Sequence, residues 1–177
     1  NTKLCYDHPV MTVTTHTVIG AGIGMTMGNP ILGFFLGFVS HLLVDMIPHG
    51  DHNLAEQYKV YKKKKKIALA YVGLDASIAL FALLILFNVI DYQNKVAFSA
   101  AIAGSILPDI LIGLYEITKT KYLRWFNSLH FFFHDFFVKK HGDVKLSHAI
   151  VGQAGLIAIL INLINLNKTP KWLSIYF

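Results

Sequence analysis

Five apolar stretches joined by polar loops dominate the chain, and ionisable side chains sit inside them. Residues 67–90 are the clearest, interrupted only by Asp75 and Ser77 before Asn88; 96–117 follows and 146–166 is the last. Residues 30–47 fall slightly short of the ~20 residues a helix needs to span hydrocarbon, yet remain feasible. Residues 16–27 are too few, and Gly28-Asn29-Pro30 breaks the helix after them, so this piece is expected to dip partway into a bilayer and turn back. Gly20, Gly22, Gly24 and Gly28 give that hairpin a face for close backbone packing. The expected fold is an all-α polytopic membrane bundle with about four spanning helices, an N-terminal re-entrant hairpin and an interfacial helix.

Composition agrees. At 54% hydrophobic, 15% charged and a mean hydropathy of +0.50, 177 residues carry more apolar surface than a soluble domain of this size buries. One domain is expected over residues 11–177: Met11-Thr12-Val13 reads as a natural start, residues 1–10 as an N-terminal extension, and no cleavable signal peptide is evident. The net charge of +6 comes from lysines concentrated in loops, densest at Lys59 and Lys62 to Lys66. There they act as topology signals or meet anionic headgroups, so membrane lipid and not nucleic acid is the expected partner. Oligomeric state is not legible. The single cysteine, Cys5, excludes an intrachain disulfide and a Cys-rich zinc site, so any metal must be held by histidines and carboxylates.

Charge orients the helices. The loop 48–66 carries six lysines, and 118–145 carries Lys119, Lys121, Arg124, Lys139, Lys140 and Lys145, whereas 91–95 has one lysine. The first two are expected on the cytoplasmic side. Residues 30–47 then descend toward that side, and the pieces opening at His16 and Leu146 start from it. Lys168 and Lys171 fall outside, beside Trp172 and Tyr176 as interfacial anchors.

On this threading the histidines fall toward one side, where an ionisable group in lipid must pair, bind metal or line a wet cavity. His41 and Asp45 are four residues apart on one helical face, Asp109 lies ~12 Å in from its cytoplasmic end, and His16 and His148 open their helices. All five can meet at one level. His130 and His134 are again four apart, with Asp135 beside the second, in an aromatic stretch that reads as an interfacial amphipathic segment. Such spacings suit helical chelates of imidazole and carboxylate. Each has a plainer alternative: a helix-packing hydrogen bond for His41 and Asp45, surface histidines for His130 and His134, and a helix stop for Pro48-His49-Gly50-Asp51-His52, which also suits a second metal. Asp109, after Pro108 in mid-helix, needs a partner. Asp75 is left open, and His8 and His141 read as loop residues. Thr15 to Gly20 has an echo in Ser147 to Gly152, and residues 33–48 share a looser pattern with 100–114. If that repeat is real, His16 and His148 do equivalent work.

Three segments resemble a known family: Thr15-His16-Thr17-Val18-Ile19-Gly20-Ala21-Gly22, Gly37-Phe38-Val39-Ser40-His41-Leu42-Leu43-Val44-Asp45, and Gly104-Ser105-Ile106-Leu107-Pro108-Asp109. They look like the signatures of the LexA-regulated, membrane-bound metal-dependent hydrolases of bacterial inner membranes, a family similar to the all-helical zinc-dependent phospholipase C fold. The order differs from the family's: Leu-Pro-Asp comes late without a following Asp-His, and Leu129-His130-Phe131-Phe132-Phe133-His134-Asp135 stands where a Thr-His-Ser segment is expected. The resemblance implies hydrolysis of a phosphoester, a lipid headgroup by its setting. His16, His41, Asp45 and Asp109 would hold a metal, with His130, His134 and His148 completing it or supporting a second. Asp135 or Asp51 would relay a proton from activated water. Zinc is favoured by the imidazoles, with manganese or iron open. A metal-ion or proton transporter, a haem protein with axial His41 and His148, and a non-enzymatic scaffold are the competing classes.

Overall fold

The computed structural model describes residues 12–48, 65–89, 92, 94–142, 144 and 146–166. These residues are all-α: α1 (Val13–Thr26), α2 (Pro30–Val44), α3 (Lys65–Val89), α4 (Lys95–Thr118), a 3-10 turn (Lys121–Leu123), α5 (Arg124–His141) and α6 (Leu146–Leu166). Among the described residues α4 is the one helix long and apolar enough to cross a membrane, while Pro30–Val44, Gly73–Asn88 and Ser147–Asn162 are apolar but shorter. Asp51, the lysines between residues 49 and 64, residues 1–10, and Trp172 and Tyr176 lie outside the described residues.

Local chemistry sets the helix ends. Asn29 Oδ1 accepts the N–H groups of Ile31 and Leu32 at the start of α2, with Pro30 pre-set for the first turn. Asn94 does the same for Val96 and Ala97 on α4, and its amide donates to the Gly28 carbonyl at 3.0 Å, tying the two helix starts together. α2 ends three residues sooner than its apolar run: Met46 and Ile47 turn back onto Leu43 and Val44 ahead of Pro48. Asp45 therefore sits in the tightened turn that closes the helix.

From those joined starts α2 and α4 run parallel in a constant register. A Cβ at Gly33 would meet the Ala97 carbonyl at 3.1 Å, one at Gly37 would run into the Ala101 carbonyl, and one at Gly104 into that of Phe34. One turn on, His41 reaches the Ser105 carbonyl, 64 residues away in sequence. The same offset sets Asp45 level with Asp109. Small residues let two backbones touch, and that contact fixes the carboxylates at one depth.

α1 packs against α2, α3, α4 and α6, and so is buried on nearly every side. Val18, Ala21, Leu86, Phe98 and Ile102 form one apolar cluster beside it; Ile112, Phe126 and Phe131 form a second where α5 folds back on α4. Buried polar side chains are almost as numerous as buried apolar ones among the described residues. Most large apolar side chains of α2 point outward instead, with Ile31 68% and Phe35 60% exposed, while Leu42 is buried and Phe38 packs against the second cluster.

Candidate metal centre

Three helices converge on the polar interior. The i, i+4 spacing on α2 projects His41 and Asp45 together, α4 supplies Asp109 after Pro108, and α5 supplies His130. One ligand atom from each of these four lies within 4.8 Å of all the others. His41 Nε2 is 3.1 Å from Asp45 Oδ2 and 3.4 Å from Asp109 Oδ1, and His130 Nε2 is 3.4 Å from Asp45 Oδ2. A tetrahedral ion with bonds of about 2.0–2.1 Å has donor edges of about 3.3–3.4 Å, the size of these separations. This buried His/Asp group can hold a metal ion.

The hydrogen bonds behind the donors say more. His41 Nδ1 lies 2.7 Å from the Ser105 carbonyl, which only accepts, so Nδ1 carries a proton and Nε2 is the ring atom turned toward the carboxylates. Pro108, lacking an N–H, leaves the neighbouring Gly104 carbonyl without its helical donor. His130 is fully buried, and burial, opposed by the Asp45 charge and reinforced by neighbouring imidazoles, pushes it down to about 3. It stays neutral with a lone pair to give. Lone pairs of nitrogen and carboxylate facing one another at these distances repel unless a cation lies between them. Protons on the imidazoles can supply it; a divalent metal ion supplies it and neutralises both carboxylates at once.

Around the four donors the other expected residues divide. His16 is buried, its Nε2 3.0 Å from Asp45 Oδ1 and its ring stacked on His41 at 3.9 Å, so it meets the group through Asp45 and lies outside the four-donor set. His134 is buried one turn from His130, ring centroids 6.1 Å apart, with Nδ1 3.2 Å from Asp135 Oδ1. Asp135 is also 3.1 Å from Lys139 Nζ. His148 is not brought in: its side chain is exposed and lines a cavity of about 330 Å³ with Ile47, Pro48, Val144 and Leu156 among its walls. The echo between Thr15 to Gly20 and Ser147 to Gly152 therefore does not give the two histidines equivalent places.

Two polar groups escaped the sequence reading. The Ser105 carbonyl is backbone and leaves no residue signature. Asn127 could have been found: it shares the His130 and His134 face by spacing, and its Oδ1 is buried without a hydrogen-bond partner among the described residues. The geometry predicts a contrast between two histidines. His16→Ala removes a support of Asp45 and is expected to weaken zinc binding about 10–100-fold, as loss of outer-layer partners does. His148→Ala is expected to leave the affinity unchanged, and a competition titration against a chromophoric chelator checks both. Compared with known proteins, the chain matches no family model, and no curated protein or solved structure gives a significant match.

Proposed function

We propose that this chain is a membrane-embedded, metal-dependent hydrolase that cleaves a phosphoester at the level of lipid headgroups, on the cytoplasmic side of a bacterial inner membrane. The observation that carries the proposal is the buried four-donor group of His41, Asp45, Asp109 and His130. Two imidazoles and two carboxylates favour zinc, with manganese or iron as alternatives. The three motifs that resemble the LexA-regulated membrane-bound hydrolases hold His16, His41, Asp45 and Asp109, the residues gathered here. A polytopic arrangement of α2, α3, α4 and α6 is supported by a polar interior under an apolar exterior, which suits a hydrocarbon surrounding. The lysine-rich loops support the orientation.

A bound divalent ion would polarise a phosphoryl oxygen and make water more acidic. The chain's own part is to hold that chemistry still. Ser105 fixes the His41 ring, and His16 orients the Asp45 carboxylate. Asp135 and His134 form a buried carboxylate–imidazole pair one turn from His130, able to take up the proton that water loses.

The test is turnover by detergent-purified protein loaded with zinc or manganese. Phosphate or headgroup release from phospholipid is expected, lost on chelation and in Asp45→Asn. Stoichiometric ion without hydrolysis of any mono- or diester, together with ion flux into proteoliposomes, would replace the hydrolase by the transporter reading.

A further inference from the structure

A helix that begins inside a packed bundle presents backbone N–H groups with no water to accept them. α1 begins in this way, and Thr12, the residue before it, makes no side-chain capping bond. The Thr12 carbonyl takes the N–H groups of Thr15 and His16, and the acceptors for the N–H groups before them come from other helices. The Asp75 carboxylate on α3 accepts the Val13 N–H at 2.7 Å, the Thr14 N–H at 3.4 Å and the Thr14 hydroxyl at 2.7 Å. From α6, the buried Gln153 accepts with Oε1 from the Thr12 hydroxyl at 2.6 Å, the Thr15 hydroxyl at 3.1 Å and the Thr12 N–H at 3.4 Å. The charge fits as well as the geometry, since a carboxylate at the positive end of a helix is stabilised there. This accounts for an acidic residue in the middle of the apolar α3.

What this clamp holds matters because of the residue that follows it. His16 comes directly after Thr15, and its ring both stacks on His41 and meets Asp45. A turn or slide of the first turn of α1 moves that ring first. We infer that Asp75 and Gln153 are positioning residues of the metal centre: by fixing the first turn of α1 they set the place of the His16 imidazole, and through it the orientation of the Asp45 carboxylate. Neither residue is among the four donors. The consequence for the ion rests on the metal reading above, whereas the clamp itself is measurable in metal-free protein.

The experiment compares the full chain in detergent with Asp75→Leu, Asp75→Asn and Gln153→Leu. Amide hydrogen exchange is read at Val13 and Thr14 without metal, and cobalt(II) is titrated for its dissociation constant and visible ligand-field bands. Asp75→Leu is expected to lose protection at both amides, weaken cobalt binding about 10–100-fold and shift the bands. Asp75→Asn, which keeps one accepting oxygen, is expected to recover most of each change. Gln153→Leu carries the same comparison through Thr12 and Thr15 should Asp75→Leu fail to fold. A lower melting point with cobalt affinity and bands unchanged overturns the proposal, as does unchanged exchange at Val13 and Thr14 in Asp75→Leu. Wild-type protein that takes up no cobalt overturns the metal reading itself, and with it the role for the ion, whatever the exchange shows.

Discussion

Asp45→Asn is expected to strip the chain of its divalent ion while leaving the helices folded. The two carboxylate oxygens face different partners: Oδ1 meets His16 Nε2 at 3.0 Å, while Oδ2 meets His41 Nε2 at 3.1 Å and His130 Nε2 at 3.4 Å. Asparagine has nearly the same shape. Its oxygen can keep the His16 contact, and its amide nitrogen then offers protons to the two imidazoles whose lone pairs the carboxylate could not satisfy without a cation. The ion loses an anionic donor and meets N–H groups in its place. Since loss of outer-layer partners alone costs 10–100-fold, metal affinity is expected to fall by more than about 100-fold. The metal-free protein, by contrast, is expected to melt no lower than the wild type. Zinc competition titrations and thermal unfolding in chelator give the two numbers separately. Wild-type affinity in this variant removes Asp45 from the ligand set; an equal fall in both quantities makes it a packing residue. Asp45→Ala, which leaves buried imidazoles facing a void, should lower both.

The sequence carried the pairs that depend on one helix and missed those that depend on how helices face each other. His41 with Asp45 was legible because i and i+4 side chains project together whatever surrounds the helix. Asp109 was legible because a carboxylate beside a proline in an apolar run needs a partner, and α4 covers Lys95–Thr118 where residues 96–117 were expected. His148 shows the limit. Opening a helix from the same side as His16 suggests the same depth, but depth says nothing of direction around the axis. Gln153 is buried, and the five residues between them turn His148 by about 140°, to the exposed edge of the cavity that both line. Asp75 stayed unassigned for a similar reason. Its partner is no titratable side chain but the N–H groups of Val13 and Thr14, a need created when α1 starts between α3 and α6. The α2–α4 contact runs in a register of 64 residues that only the packing reveals.

That contact yields the second large effect: Gly37→Ala is expected to disarm the centre without touching any of its donors. A Cβ at Gly37 would run into the Ala101 carbonyl and lie 3.0 Å from the Ser105 backbone nitrogen. The obstacle is backbone, so no side-chain rearrangement relieves it and Ala101→Gly cannot compensate. α2 must move away from α4. Overpacking of this kind costs about 1–3 kcal/mol, enough for a clear fall in the thermal midpoint. The displacement also reaches the ligands, because one turn further on the same two helices hold His41 against the Ser105 carbonyl. Beyond that they set Asp45 3.1 Å and Asp109 3.4 Å from His41 Nε2. Zinc affinity is therefore expected to drop about tenfold or more, as for other disturbances behind a ligand. Gly113→Ala on α4 is the control: its Cβ meets nothing within 4 Å. A helix-interior alanine is favoured there by up to about 1 kcal/mol, so this variant should be as stable as the wild type or more so, with full affinity. If Gly37→Ala lowers stability and leaves zinc binding intact, the α2–α4 contact sets the fold but not the centre, and the spacing of Asp45 and Asp109 must be held from α1 and α5 instead.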